Sequence, residues 1–229
     1  SSRELTFPHH ENELAISEAL TGKPLARYWI HCERVVTSER DSSFDPGVIK
    51  LHDLLQQGYK GREIRYLFLS RHYRKPLRFS LEGLNQAKRA LIRLDNFIAS
   101  LKSIKEGTPG YQGLDQSIYD LKQRFTDAMD DDLNISAAMA AIYNFIRQTN
   151  KYLSKGRIDR AGCDKILATL KKIDSVLNIF RFEEEPIDPE IEKLIQEREE
   201  ARRRKDWKRA DQIREILLAR GIVVKDKKI

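Results

Sequence analysis

His9 and Glu13 are the residues of this chain whose types and spacing most directly suggest chemistry. They stand four positions apart, and side chains with that spacing lie on one face of an α-helix. An imidazole nitrogen and a carboxylate oxygen are both ligands that zinc accepts, but a zinc site uses three or four protein ligands. The pair alone therefore predicts half of a metal site or, as the simpler alternative, an ordinary solvated helix face.

The residues around this pair predict the helix that would hold it. Pro8 suits the first position of a helix, where its missing N–H costs nothing, and Gly22 suits the C-terminal stop. The apolar positions between them follow helical spacing and are Leu14, Ile16, Ala19 and Leu20. We therefore expect a helix over about residues 8–21.

The string FPHHENELAISEALTGKPLARYWIH, residues 7–31, resembles a signature of cysteinyl-tRNA synthetases. The resemblance implies that His9 and Glu13 match two zinc ligands of that family. The other two ligands of the family are cysteines N-terminal to this motif, outside this sequence. Zinc in that family selects cysteine by ligating its thiolate. The resemblance thus implies zinc as a cofactor, with half of the ligand set in this chain.

The two cysteines, Cys32 and Cys163, do not form a CxxC pair. A disulfide framework is therefore not predicted, and a reducing, cytoplasmic setting is expected. We expect Cys163 to be a buried small apolar residue and Cys32 not to be a ligand. A substitute metal site would have to recruit a neighbour such as His10, Glu11 or His31.

Composition and charge fit a soluble protein with an anionic partner. The 229 residues are 40% hydrophobic and 34% charged, and no apolar run approaches the roughly 18 residues of a membrane span. The net charge is +7, and residues 191–229 hold thirteen Lys and Arg against eight Asp and Glu. The excess of positive charge near the C-terminal end predicts a phosphate-bearing partner there.

Hydrophobic periodicity and the resemblance together give the predicted organisation, which is mainly α. Residues 1–41 are expected to be a remnant of an α/β, Rossmann-like catalytic domain, and residues 42–79 a connecting segment. Four amphipathic helices in residues 80–182 predict an antiparallel helical bundle, whose first helix should begin at an N-cap, Ser80, and stop at Gly107. Residues 183–229 are expected to form a small basic helical hairpin after an acidic, proline-containing linker. Its second helix should follow a cap at Asp206, carry Trp207 in its apolar stripe and stop at Gly221.

The first 41 residues are too few for a nucleotide-binding sheet. Apolar segments at residues 28–31 and 34–36 predict one or two short strands there. This piece must therefore pack on an earlier half of the fold or on the helices that follow.

Two further motifs resemble elements of the same family. Residues 64–74 match an element that, in the family, joins the catalytic and helical domains near the tRNA acceptor stem, and composition places Leu67, Phe68 and Leu69 in the core. Residues 128–134, AMDDDLN, match a turn between bundle helices. We interpret its three aspartates as an N-cap with favourable charge at a helix N-terminus, rather than as a magnesium site.

Basic residues supply the predicted tRNA contacts. The resemblance implies that the C-terminal hairpin helps to read the anticodon stem. Arg71, Arg74, Lys75 and Arg78 form a second basic cluster, after a helix predicted over residues 62–70. The candidate phosphate-binding residues are Arg71, Arg74, Lys75, Arg202, Arg203, Arg204, Lys205, Lys208 and Arg209. The alternative is a solvated surface with ion pairs four residues apart, such as Glu200 with Arg204.

The nucleotide-binding loop departs from the family pattern. The family activates cysteine with ATP and uses a KMSKS loop, whose lysines stabilise charge on the triphosphate. Residues 40–44 align with that loop: Arg40 keeps one positive charge, Ser43 replaces the second lysine, and Asp41 adds a negative charge. The family's ATP motif lies in a half outside this sequence, so we assign no catalytic residue to this chain.

The sequence therefore predicts a cysteinyl-tRNA synthetase-like protein. It would take part in ATP-dependent aminoacylation of tRNA, with this chain keeping tRNA-binding parts and being inactive without an N-terminal catalytic half. The alternative is a non-enzymatic RNA-binding or regulatory paralogue, which the altered residues 40–44 favour.

Overall fold

A computed structural model describes residues 2–37, 50–183, 189–204 and 206–219. The chain divides into two compact units, Ser1–Phe180 and Arg181–Ile229. Within the described ranges, helices are too short or too polar for any of them to cross a membrane. As predicted, the fold is mainly α, and the only sheet of the described residues has two strands.

The N-terminal region contains the expected helix. A short 3₁₀ turn, Arg3–Leu5, and a π-helical turn, Thr6–His10, lead into α1, Glu11–Thr21. Gly22 ends α1 in a left-handed conformation with φ 63°, which confirms the predicted stop. Phe7 is extended, with φ −125° and ψ 131°, so the regular helix begins later than Pro8.

Two short strands connect this region with the segment that follows. Strand β1, Val35–Thr37, pairs in parallel with β2, Leu77–Phe79, in the register Val35 to Leu77. The other segment that was predicted to form a strand, residues 28–31, has no strand structure. Strand β2 was not predicted, because three residues are too few to give an alternating pattern that stands out from basic neighbours.

The connection between the strands contains two helices, α2, Leu51–Gln56, and α3, Gly61–Leu69. They form a small core with β2 and the next helix; its buried residues are Leu54, Ile64, Leu67, Phe79, Leu84 and Ala87. The prediction that Phe68 is also in the core was wrong, because its side chain is 49% exposed. Residue 68 is turned by about 100° from Leu67 around the helix axis, away from this core.

Four long helices form the bundle: α4, Leu81–Ser103; α5, Leu114–Asp130; α6, Ile135–Leu153; and α7, Arg160–Leu177. Their buried residues follow the predicted stripes, and the Ser80 hydroxyl caps α4 by accepting from the Gly83 N–H at 3.0 Å. Helix α4 ends before the predicted stop at Gly107. Gly107 instead lies against Ile158, where a Cβ atom would be only 2.3 Å from the carbonyl oxygen.

Two arginines of α3 bind the bundle. The Arg62 guanidinium donates to both carboxylate oxygens of Asp95 on α4, at 2.9 and 2.6 Å, and its Nε donates to the Ile179 carbonyl at 2.5 Å. The Arg65 Nε donates to the Leu177 carbonyl at 2.5 Å. Carbonyl groups at the end of α7 lack helical partners and carry partial negative charge. These bonds fix α3 on the bundle.

The second unit is a helical hairpin. Helix α8, Pro189–Arg203, and helix α9, Trp207–Ala219, pack through small and aliphatic side chains; these are Ala201, Ala210, Ile213 and Leu217. Asp206 was predicted to cap α9, and its Oδ1 accepts from the Arg209 N–H at 3.1 Å. Trp207 was expected in the apolar stripe but is 55% exposed, because it is the first residue of α9. The predicted stop of α9, Gly221, lies outside the described residues.

We expect Arg62→Ala to lower the free energy of unfolding by about 2 to 3 kcal/mol, because Asp95 and the Ile179 carbonyl lose charged donors in a site that is only partly exposed. Arg89→Ala is the matched control, because Arg89 and its partner Glu82 have side chains that are 66% and 62% exposed. This substitution should change the free energy of unfolding by less than about 0.5 kcal/mol. Urea unfolding followed by circular dichroism measures the two variants. Equal stability of both variants would contradict the anchoring role of Arg62.

Candidate functional site

The turn that carries His9 brings its neighbour, His10, into the protein. His10 is only 8% exposed, and its Nδ1 lies 3.2 Å from Nε2 of His31. The Trp29 ring lies 5.6 Å from the His10 ring and stacks on His31 at 6.2 Å. One imidazole must donate and the other accept across this contact, so one of the two facing nitrogens carries no proton. His10, Trp29 and His31 thus form a hydrogen-bonded aromatic cluster, called the histidine cluster below.

The two residues that match zinc ligands are at the surface. His9 and Glu13 are both exposed, on consecutive helical turns. Across the described ranges, no three His, Cys, Asp or Glu side chains are grouped so that they could hold a metal ion. His10 and His31 do meet, but Glu11 and Cys32 do not complete a metal-binding group with them. The described residues therefore do not fit a zinc ion by themselves.

The apolar stripe of α1 is exposed. No residue of α1 is buried within the described structure, and Ile16 and Leu20 are 62% and 81% exposed. Phe7 and Tyr28 nearby are 80% and 86% exposed. Large apolar side chains that are exposed in this number are typical of a surface that another element or protein covers. Of the two packing arrangements that the sequence allowed, α1 does not take the one against the following helices.

A cleft of about 370 Å³ opens beside the histidine cluster. Trp29 and His31 line it together with two arginines, Arg3 and Arg74, and with the carboxylate of Glu33. Guanidinium groups bind phosphate and carboxylate oxygens through charged hydrogen bonds. The cleft is chemically suited to an anionic group next to an aromatic surface.

One carboxylate organises the segment that supplies Arg74 to this cleft. Asp132, in the turn between α5 and α6, accepts from a terminal nitrogen of Arg74 at 3.1 Å and from the Tyr73 hydroxyl, and Arg74 Nε lies 2.9 Å from its other carboxylate oxygen. His72 Nε2 donates to the Asp132 backbone carbonyl at 2.9 Å. The Tyr73 hydroxyl, and after it the Asp132 carboxylate, raise the pKa of Arg74 above its ordinary value. Three consecutive residues thus bind one aspartate.

The interpretation of the three aspartates as an N-cap was wrong. The residue that caps α6 is Asn134, whose Oδ1 accepts from the Ala137 N–H at 3.2 Å. The segment that contains Asp131 and Asp132 makes a tight turn with left-handed backbone at Asp132 and Leu133, at φ 52° and 56°. That turn directs the Asp132 side chain towards residues 72–74 and away from the helix end.

The other candidate phosphate contacts of the first unit lie along a second, largely apolar cleft of about 410 Å³. Arg71 and Lys75 are exposed at this cleft, together with the Phe68 ring. Cys32 also lines it and is half-buried. The structure therefore separates Arg71 and Lys75, at this cleft, from Arg74, which faces the first one.

The basic residues of the hairpin are mostly paired with carboxylates. Arg203 lies 3.9 Å from Glu199, and Arg204 lies 3.7 Å from Glu200, the ion pair named above for the alternative of a solvated surface. Arg209 lies 3.4 Å from Glu197, Lys208 is exposed and Arg202 is half-buried. Exposed pairs of this kind contribute little to stability and can open to accept a phosphate. Lys205, and Arg40 and Ser43 of the altered loop, lie outside the described residues.

Several residues of these sites could not be found from local patterns. His10 and His31 are 21 positions apart, and Tyr73 and Asp132 are 59 apart. No periodicity connects residues at such separations. Only the family resemblance pointed to these residues. His10 and His31 lie in the string of residues 7–31, Tyr73 lies in the motif of residues 64–74, and Asp132 lies in the motif of residues 128–134.

Thiol reactivity tests the packing around the second cleft, which Cys32 lines. Burial raises the pKa of the Cys163 thiol and leaves it 0% exposed, whereas Cys32 is half-buried at the cleft wall. A raised pKa keeps a thiol protonated and unreactive at neutral pH. We expect iodoacetamide to modify one cysteine in the native chain and both in denaturant, by mass spectrometry. Cys32→Ser should remove all native labelling; native modification of Cys163 would contradict its burial.

Three family models match this sequence. A model described as tRNA synthetases class I (C) catalytic domain matches residues 2–89, and the DALR domain model matches residues 124–181. A model described as cysteinyl-tRNA ligase anticodon binding domain matches residues 185–228. The three matched segments follow one another along the chain without overlap.

Relatives over nearly the whole chain are cysteine-tRNA ligases. The ligase of Chlamydia felis (strain Fe/C-56) is 41% identical over 225 residues, which cover 97% of this chain and 47% of that protein. The ligase of Chlamydia pneumoniae is 40% identical, over 97% of this chain and 48% of that protein. The ligase of Protochlamydia amoebophila (strain UWE25) is 35% identical, over 96% and 46%. The chain thus spans about half the length of the curated relatives that it matches.

Proposed function

This chain is a cysteinyl-tRNA synthetase-like protein, and on that premise we propose that it supplies the tRNA-binding part of a cysteine-tRNA ligase. Aminoacylation would require, in addition, the half of such an enzyme that lies outside this sequence, whether joined to this chain or supplied separately. The observation that carries the proposal is the alignment of 97% of the chain with 47% of a cysteine-tRNA ligase.

The exposed surface of the first unit supports the need for a complementary half. Ile16, Leu20 and Tyr28 leave large apolar areas in water, which costs free energy unless another surface covers them. Strand β1 pairs with β2 in a sheet of only two strands among the described residues, and parallel sheets are normally covered on both faces. A catalytic domain completed by further strands would cover α1 and extend this sheet.

In this proposal, zinc and ATP bind only when the complementary half is present. His9 and Glu13 would contribute two ligands to a zinc site whose remaining ligands come from the other half, where zinc would bind the cysteine thiolate. Arg40 and Ser43 would stand at the nucleotide-binding loop, with one positive charge instead of two. We propose that the chain without this half activates no cysteine.

Charge supports tRNA as the partner, cysteine-specific by the family resemblance. The last 39 residues carry thirteen Lys and Arg against eight Asp and Glu, and the exposed side chains of Arg203, Lys208 and Arg209 lie in one helical hairpin. This hairpin falls in the segment that matches an anticodon binding domain model. Phosphate contacts release counterions, so binding through such a surface must weaken as salt is added.

The alternative is a regulatory RNA-binding paralogue without enzymatic activity. Asp41 and Ser43 favour it, because they remove positive charge from the segment that aligns with the nucleotide loop. The two proposals share tRNA binding and differ in whether a complementary half restores charging of tRNA.

We expect the chain to bind tRNA with an affinity that falls by at least about tenfold between about 50 and 200 mM salt. The double variant Lys208→Gln and Arg209→Gln should lower the slope of log affinity against log salt by about 1 to 2, because up to two phosphate contacts are lost. Filter binding or fluorescence anisotropy with labelled tRNA measures the slope.

The double variant Lys122→Gln and Lys151→Gln is the control, because it removes the same charge from exposed positions of α5 and α6 that the proposal leaves out. Its slope should stay close to that of the unsubstituted chain. Affinity that is weak and insensitive to salt would contradict the proposal, as would equal slopes for the two double variants.

A further inference from the structure

The turn between α5 and α6 and the segment after α3 meet at a single carboxylate. Arg74 approaches Asp132 with Nε at 2.9 Å and a terminal nitrogen at 3.1 Å, and the Tyr73 hydroxyl donates to the same carboxylate. Arg74 Nε also lies 2.9 Å from the Tyr73 hydroxyl, so the three groups form a closed set of hydrogen bonds. The Asp132 side chain therefore determines the orientation of both Tyr73 and Arg74.

The backbone holds Asp132 in a conformation that helix capping does not require. Asp132 and Leu133 adopt left-handed φ values of 52° and 56°, which L-residues seldom take and which are least favourable for a residue as large as leucine. Asn134 already caps α6. The strained turn persists because the surrounding contacts hold it, and among these the bonds to residues 72–74 are prominent.

Arg74 keeps donors for another anion while it is bound to Asp132. A guanidinium carries five N–H groups in a fixed plane, and the Arg74 side chain remains 65% exposed in spite of its contacts. The same residue lines the cleft that contains Trp29 and His31. A carboxylate bound to a guanidinium fixes the plane of that group, and Asp132 holds Arg74 in this way at the border of the cleft.

We infer that Asp132 is a positioning residue for RNA binding: it orients Arg74 so that the outer N–H groups of the guanidinium meet an RNA phosphate at the cleft of Trp29 and His31. The inference rests on the proposed tRNA binding and adds a role for the bundle. The turn between α5 and α6 acts on RNA through Arg74 and makes no contact of its own with the phosphate.

A double-mutant cycle tests this role with tRNA affinity as the readout. Asp132→Asn removes one negative charge and the ion pair with Arg74. Asp130→Asn is the matched control, because this substitution removes the same charge from an exposed position two residues away. We expect D132N to bind tRNA about threefold more weakly than D130N, with a salt slope lower by about 1. In the R74Q background the two asparagine variants should differ by less than about 1.5-fold, because Asp132 acts through Arg74.

Asp132→Glu keeps the carboxylate and should restore most of the affinity, which separates positioning from a general effect on folding. Circular dichroism melting of each variant verifies that the chain is folded at the binding temperature. The inference is overturned if D132N and D130N bind alike, or if their difference persists in the R74Q background. Those results leave the proposed function intact, whereas absence of salt-dependent tRNA binding by the unsubstituted chain contradicts both.

Discussion

The attachment of α3 to the bundle through Arg62 and Arg65 is the constraint on which the first unit depends. Arg65 donates to the Leu177 carbonyl at the C-terminal end of α7, and Arg62 donates to the Ile179 carbonyl just beyond that helix and to Asp95. Positive charge is favourable at this end of a helix, and planar guanidinium groups hold their partners in a defined orientation. With α3 fixed, the segment that follows it must leave the bundle at one place.

That exit position determines the rest of the first unit. Residues 72–74 lie where Asp132 can bind them, and Leu77 reaches the position from which β2 pairs with β1. Because β1 is held this way, Trp29 and His31 come to lie beside Arg74 in one cleft. The Tyr66 hydroxyl adds a further link at 2.6 Å from that of Tyr143, whose burial raises its pKa. The clefts are consequences of helix packing more than of local loop structure.

Sequence patterns predicted the bundle well because its helices carry their own signals. Helix α4 has an apolar stripe and a serine cap, and both predictions are confirmed. Predictions failed where single residues were assigned from composition or proximity: Phe68 is exposed, Trp207 is exposed, and Asn134 rather than an aspartate caps α6. The exposure of Phe68 depends on which side of α3 the bundle occupies, and no local pattern contains that information. Trp207 is exposed because it begins α9, and the left-handed turn at Asp132 and Leu133 leaves Asn134 as the cap.

The candidate sites also combine residues that the family resemblance identified with contacts that only tertiary packing creates. Resemblance identified His9 and Glu13 as zinc-ligand positions, and their role remains a prediction that needs a complementary half. The meeting of His10 with His31 and of Arg74 with Asp132 arises from tertiary packing between distant segments. The family motifs nevertheless contained all four residues.

The most direct test of the account is charging of tRNA with cysteine by this chain mixed with the N-terminal half of the Chlamydia felis ligase, in the presence of ATP and zinc. We expect no charging by either piece alone and measurable charging by the mixture, which Ile16→Asp should reduce by placing a charge in the covered apolar surface. Charging by this chain alone would contradict the account. A mixture that neither associates nor charges tRNA would contradict it as well.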